Sequence, residues 1–179
     1  MLKKFTPFAY ANSIYEIDFN LLSSLGIKVI LVDLDNTLVP YSIKEPTSQV
    51  KELKAKLDQI GISLLICSNN KGKRVGRFAT MLGIKYFSLL RKPFSGPLLK
   101  AIKKSNLNKE ECILIGDQLM TDIACANKAK IKSILVEPLN KQEPPWTKFN
   151  RLFDKPIRKK LRKKGLLKPL ESKKGSQTC

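Results

Sequence analysis

The sequence predicts a doubly wound α/β domain, and three observations carry that expectation. Short apolar runs alternate with stretches whose apolar residues recur at helical spacing. Polar residues follow directly on the ends of those runs, where open parallel sheets bind their ligands. The 179 residues suit one compact domain with a single core.

Taken in order, Val29-Ile30-Leu31-Val32 is a continuous apolar run ending at Asp33, as expected of a strand buried on both faces. Thr47 or Ser48 can cap a helix in which Val50, Leu53 and Leu57 share a face, with Gly61 placed to end it. Ile62 to Cys67 reads as the second strand. Val75, Phe78, Ala79 and Leu82 mark a helix closed by Gly83, and a short strand near Tyr86 leads into Arg91-Lys92-Pro93. Leu98 to Lys104 is expected to be helical, Cys112 to Ile115 a fourth strand, Asp122 to Lys130 a helix and Ser133 to Val136 a fifth strand. Five strands alternating with helices predict a parallel sheet covered on both faces.

Composition narrows the chemistry. The chain has no histidine, which excludes Ser-His-Asp and Cys-His nucleophile systems and His-ligated zinc. Acid–base work falls to carboxylates or lysine. Cys67, Cys112, Cys125 and Cys179 stand far apart with no C-x-x-C pair, so neither a zinc site nor a disulfide framework is expected. No apolar run approaches the ~18 residues of a membrane span. The basic opening, Met1 to Phe8, is interrupted by Pro7 and soon by Asn12, Glu16 and Asp18, unlike a secretory signal. A cytoplasmic, unprocessed protein is the expectation.

Charge is distributed unevenly. Residues 1–140 hold 21 basic and 12 acidic side chains, net +9, whereas 141–179 hold 13 and 3, net +10. The division suggests a domain over 1–140 followed by a basic extension over 141–179. Such an extension implies an anionic partner, nucleic acid or anionic lipid.

The strand ends supply the chemistry. Asp33 and Asp35, two residues apart just after a strand, repel one another unless a cation intervenes or one is protonated. Hard oxygen ligands from Asp33 and Asp117 suit Mg²⁺; a polar turn with capping duty would use the same pair. A calcium loop fails, because its sixth position would be Leu38 rather than Gly and its twelfth Lys44 rather than Glu. Cys67 and Arg74 have six intervening residues instead of the five of a tyrosine-phosphatase loop, and Gly72-Lys73 lacks the earlier Gly of a Walker loop.

Four segments in order, Asp33-Leu34-Asp35-Asn36-Thr37, Ser68 after an apolar strand, Lys92, and Gly116-Asp117-Gln118-Leu119-Met120-Thr121-Asp122, resemble the motifs of haloacid-dehalogenase (HAD)-like phosphatases. The resemblance runs from Phe5-Thr6-Pro7 to Phe149-Asn150-Arg151 and points to the small YqeG-type branch, itself similar to phosphatidylglycerophosphate phosphatases. It implies a HAD-like Rossmannoid sheet flanked by helices. It also implies Asp33 as nucleophile and Asp35 as general acid, then base. Ser68, Lys92 and, with less weight, Asn69 would contact phosphate. Mg²⁺ would be held by Asp33, Asp117 and the main-chain carbonyl of Asp35, with Thr37 and Asp122 in support.

Only nine residues separate Thr37 from Thr47, and one helix and one strand fill Ser68 to Lys92, so no cap domain is expected. An uncapped site suits a phosphomonoester presented on a surface, with an anionic lipid headgroup first and a nucleic acid second. Phe149, Phe153, Ile157 and Leu161 are spaced by four among Arg158, Lys159, Lys160, Arg162, Lys163 and Lys164. This pattern fits an interfacial helix on the inner membrane face, a helix packed on the domain with a solvated basic face, or simple nucleic-acid phosphate contacts. Since each catalytic residue implied by the resemblance precedes residue 141, a cut after Asn150 is expected to spare hydrolysis.

Overall fold

The computed structural model describes residues 2–140 and 145–171, with side chains through Asn140 and from Leu152 onward. Among these residues, β1 (Ala9–Ala11), β2 (Val29–Val32), β3 (Ser63–Cys67), β4 (Lys85–Phe87), β5 (Cys112–Gly116) and β6 (Lys132–Val136) form one sheet. Its order is β1-β6-β5-β2-β3-β4, and every pair is parallel. The chain runs outward from β2 through β3 and β4, then crosses back to lay β5 on the other side of β2. The reversal of strand order therefore lies between β2 and β5, where the crevice of an open α/β sheet forms.

Alternation within the strands divides the core. Ile30, Val32, Leu64 and Ile66 face Val50, Leu53 and Leu57 of α2 (Ser48–Gln59) and Val75, Phe78 and Leu82 of α3 (Gly72–Leu82). Val29, Leu31, Leu65 and Leu114 face Leu98 and Ile102 of α4 (Ser95–Lys104) and Cys125, Ala126 and Ala129 of α5 (Ala124–Ala129). The expected ends hold: Thr47 accepts from the Val50 amide at 3.3 Å, and Gly83 closes α3 at φ 68°, a conformation that favours glycine. A six-residue α1 (Phe19–Ser24) precedes β2.

Two features exceed the sequence reading. A sixth strand, β1, pairs with β6, and the Tyr10 amide donates to Lys168 O at 2.7 Å, so the segment after the last helix covers this edge. The last helix, α6 (Pro145–Lys163), packs on the domain. Leu161 is fully buried with Phe5, Leu119, Ile123 and Leu135, and Ile157 packs against the same cluster. Phe153 is exposed, as are Lys159, Lys160 and Lys163. The inner part of the apolar stripe thus meets protein, while Lys159, Lys160 and Lys163 meet solvent and Arg158 is buried. Phe149 and Cys179 lie outside the residues whose side chains are described. Among the described residues no helix is long and apolar enough to cross a membrane, and no separate cap is built between Thr37 and Thr47 or between Ser68 and Lys92.

Candidate active site

Parallel strands deliver the polar residues to one end of the sheet. The Asp33 amide donates to Ile115 O at 2.9 Å, extending the β2–β5 ladder by one residue and bringing Asp33 beside the Asp117 loop. The next residues turn sharply: Asn36 has φ 62° and its amide donates to Val39 O at 2.7 Å. Beyond β3, the Ser68 amide donates to Phe87 O at 2.9 Å, and the Leu90 amide to Ser68 O at 3.2 Å. These bonds tie the Ser68 and Lys92 loops together.

Lys92 is the hub. Its side chain is about 1% exposed, and Nζ donates to Asp33 Oδ1 at 2.7 Å, Asp122 Oδ1 at 2.6 Å and Cys67 O at 2.8 Å. All three ammonium donors are used. Burial works against its charge, but Asp122 and Asp33 outweigh burial and push its pKa well up. Asp33 is also pushed well above the carboxylate range, first by burial; Lys92 opposes this, while Asp122, Asp117 and Asp35 add to it. Carboxylate oxygens of Asp33, Asp117 and Asp122 lie within 4.8 Å of one another. Three buried carboxyl groups around one ammonium gather several hard oxygen donors. That set fits a divalent cation such as Mg²⁺. Thr37 Oγ1 donates to Asp117 Oδ1 at 3.1 Å and so orients it.

Asp35 points elsewhere. Its carboxylate takes the Arg74 guanidinium on one oxygen and the Asn70 amide on the other. Burial raises its pKa, and Arg74 and Asn70 moderate the rise. The second guanidinium nitrogen of Arg74 donates to Tyr41 O at 2.9 Å and Ile43 O at 2.8 Å, fixing the loop after Asp35. Arg74 therefore orients Asp35, a role that its spacing from Cys67 did not suggest. Cys67 is buried at the end of β3 and its thiol is pushed far up by burial; it is no nucleophile.

The other expected residues fall nearby. Ser68 is buried at the mouth of β3, and its Oγ accepts from the Asn70 amide at 3.1 Å. Asn69 is turned to the main chain of Lys92, accepting from its amide at 2.7 Å and donating to its carbonyl at 2.9 Å. Asp122 Oδ1 accepts from the Lys92 ammonium at 2.6 Å. A Cβ at Gly116 would fall 2.3 Å from Asp122 Cγ, so the bare backbone of Gly116 makes the space in which Asp122 reaches Lys92.

Sequence reasoning missed the support from α6. Asp154 Oδ2 accepts from the Leu119 amide at 2.9 Å, and Oδ1 from the Met120 amide at 3.0 Å. Four residues later, Arg158 donates to Asp117 O at 2.8 Å and to Glu137 Oε1 at 2.8 Å. Both side chains are buried. The last helix thus grips the loop carrying Asp117 and Asp122 through Asp154 and Arg158.

Comparison with known proteins agrees with this geometry. A family model described as HAD-hydrolase-like matches residues 89–145. The chain is 36% identical to the probable phosphatase YqeG of Bacillus subtilis, over 92% of this chain and 96% of that protein. It is 25% identical to phosphatidylglycerophosphate phosphatase 1 of Arabidopsis thaliana over 92% of this chain, spanning 50% of that protein's length. An uncharacterized protein from Listeria monocytogenes shares the fold at a TM-score of 0.53 and 20% identity, over 66% of this chain and 85% of that one.

Proposed function

Because this chain belongs to the YqeG-type family of HAD-like phosphatases, we propose that it hydrolyses phosphate monoesters in two steps centred on Asp33. The observation that carries the reading is the buried Lys92 ammonium between Asp33 and Asp122, with Asp117 alongside. In the first step an Asp33 oxygen forms a bond to phosphorus and the ester P–O bond breaks, while Asp35 gives its proton to the departing oxygen. In the second, Asp35 takes a proton from water as that water attacks phosphorus, releasing phosphate and restoring Asp33. The raised pKa of Asp35 suits a group that must be protonated first and basic next. Lys92 offsets charge on the transferring phosphoryl group, and Ser68 donates to one of its oxygens. Asn69 acts on Lys92 by fixing its main chain. Mg²⁺, held by Asp33, Asp117 and the Asp35 main-chain carbonyl, would screen the repulsion between nucleophile and phosphate.

For the substrate, the absence of a cap among the described residues favours a phosphate presented on a surface. The Arabidopsis relative's name and the exposed basic face of α6 support an anionic lipid headgroup, phosphatidylglycerophosphate, met at the inner membrane face. The test is phosphate release by purified protein with Mg²⁺ from phosphatidylglycerophosphate vesicles, sugar phosphates and 5′-phosphorylated oligonucleotides. The lipid should be preferred, and Asp33→Asn should abolish release from every substrate. Substantial turnover by that variant refutes the nucleophile. Preference for the oligonucleotide moves the substrate to nucleic acid.

A further inference from the structure

Arg74, which holds Asp35, also lines a surface pocket of about 430 Å³ together with Tyr41, Ser42, Lys44, Lys73 and Arg77. That volume falls within the ~300–1,000 Å³ of small-molecule sites. No carboxylate lines it. Arg77 is paired with Glu45 at 2.6 Å on the rim, whereas Lys44 and Lys73 have no carboxylate partner among the described residues. Arg74 also lies 5.1 Å from the centroid of the Tyr41 ring, which sets the aromatic wall in place. The pocket is anchored, because Arg74 holds the 41–43 main chain at two carbonyls while its other nitrogen holds Asp35.

Its position bears on the reaction. A general acid must lie beside the oxygen it protonates, so the leaving group departs on the Asp35 side of the phosphorus. Arg74 lines the pocket and holds Asp35, so the pocket lies one side chain from the group that protonates the leaving oxygen. Lys44 and Lys73 bring two exposed cations to its lining. An alcohol without charge would leave these cations unmatched.

We propose that this pocket is a subsite for a second anionic phosphate on the leaving group, bound by Lys44 and Lys73 while Asp33 attacks the first. The inference rests on the two-step phosphatase reading and narrows its substrate to esters bearing two phosphates a few bonds apart. The second phosphate can be a lipid phosphodiester or that of a soluble ester; the chemistry recognised is the same.

The experiment measures kcat and KM for two soluble esters sharing a glycerol leaving group, glycerol 3-phosphate and its analogue carrying a methyl phosphodiester at the other end. The same two-phosphate headgroup on a lipid in neutral phosphatidylcholine vesicles forms a third arm. The wild-type protein should favour the two-phosphate soluble ester at least tenfold in kcat/KM. In the double variant Lys44→Ala, Lys73→Ala, that preference should fall at least tenfold through KM, with a matching loss on the vesicle substrate. Both lysines are exposed and make no hydrogen bond among the described residues, so the variant should fold, as far-ultraviolet circular dichroism would verify. Hydrolysis of both soluble esters with no preference, or a preference untouched by the variant, overturns the subsite and leaves the phosphatase reading intact. An effect confined to vesicles also overturns it, assigning the lysines to attraction by the bilayer. Hydrolysis of none of the three substrates overturns the phosphatase reading and the subsite with it.

Discussion

Replacing Asp154 by Ala tests whether the last helix holds the loop that presents Asp117 and Asp122. The carboxylate accepts from the buried Leu119 amide at 2.9 Å and the half-buried Met120 amide at 3.0 Å. A hydrogen bond to a charged group contributes about 1.5–3 kcal/mol, and a buried amide left without a partner costs about 1–3 kcal/mol. Removing a buried carboxylate also removes its own desolvation penalty, which offsets part of the loss. The net destabilisation should be about 2–4 kcal/mol. With a urea m-value of about 2 kcal/mol per molar, the unfolding midpoint should fall by about 1–2 M. Asp154→Asn keeps one acceptor and turns a donor toward the other amide, so it should fall between wild type and Ala. Equilibrium urea unfolding followed by circular dichroism measures this, with the Mg²⁺ requirement for hydrolysis determined in parallel. An Ala variant less than about 0.5 M from wild type, with an unchanged Mg²⁺ requirement, would refute the claim that α6 braces the site.

Asp117→Ala should raise the Mg²⁺ concentration for half-maximal phosphate release at least tenfold; an unchanged metal titration removes Asp117 from the cation site. Truncation after Asn150 should lose hydrolysis of even a small soluble ester, because Asp154, Arg158 and Leu161 go with it; an active truncated protein would restore the view of the extension as dispensable. Lys159→Glu, Lys160→Glu and Lys163→Glu together should weaken sedimentation with phosphatidylglycerol vesicles at least about 100-fold, since loss of three basic residues at about 1 kcal/mol each at an anionic surface accounts for that before the added repulsion of three carboxylates, and leave the urea midpoint in place. Undiminished vesicle binding would show that this exposed face is not the docking surface.

What the sequence disclosed, and what it withheld, follow the range of the forces involved. β2, β3 and β5 were legible because strands buried on both faces must be apolar throughout, whatever lies on either side. That the loops carrying Asp33, Ser68, Lys92 and Asp117 meet was legible because parallel strands bring their C-terminal ends to one side, while the roles expected of Ser68 and Lys92 came from the family resemblance. β1 was not, since three residues at an edge bury too little surface to leave a pattern. The periodicity of α6 showed that an apolar stripe exists but could not say whether lipid or protein covers it. Asp154 and Arg158 were hidden in a basic run because their partners lie 34 to 41 residues earlier, on amides and a carbonyl that no side-chain pattern records. The Arg74–Asp35 pair, 39 residues apart, was obscured in the same way.

These hidden contacts explain how a chain with 34 basic and 15 acidic residues can keep an acidic centre. Within hydrogen-bonding reach of the site, the buried cations are oriented: Lys92 is spent on Asp33, Asp122 and Cys67 O, and Arg158 on a carbonyl and Glu137. Arg74, partly exposed, is directed to Asp35 and two carbonyls. The carboxylate oxygens of Asp33, Asp117 and Asp122 remain gathered within 4.8 Å of one another, a hard donor set that suits a divalent cation. Among the described residues, lysines such as Lys44, Lys73, Lys159, Lys160 and Lys163 are exposed; on the proposed reading they attract the anionic substrate, with a field screened over about 8 Å at physiological salt. Salt should therefore weaken capture of the substrate more than it slows phosphoryl transfer, because the buried charges are shielded from ions that the surface lysines meet directly.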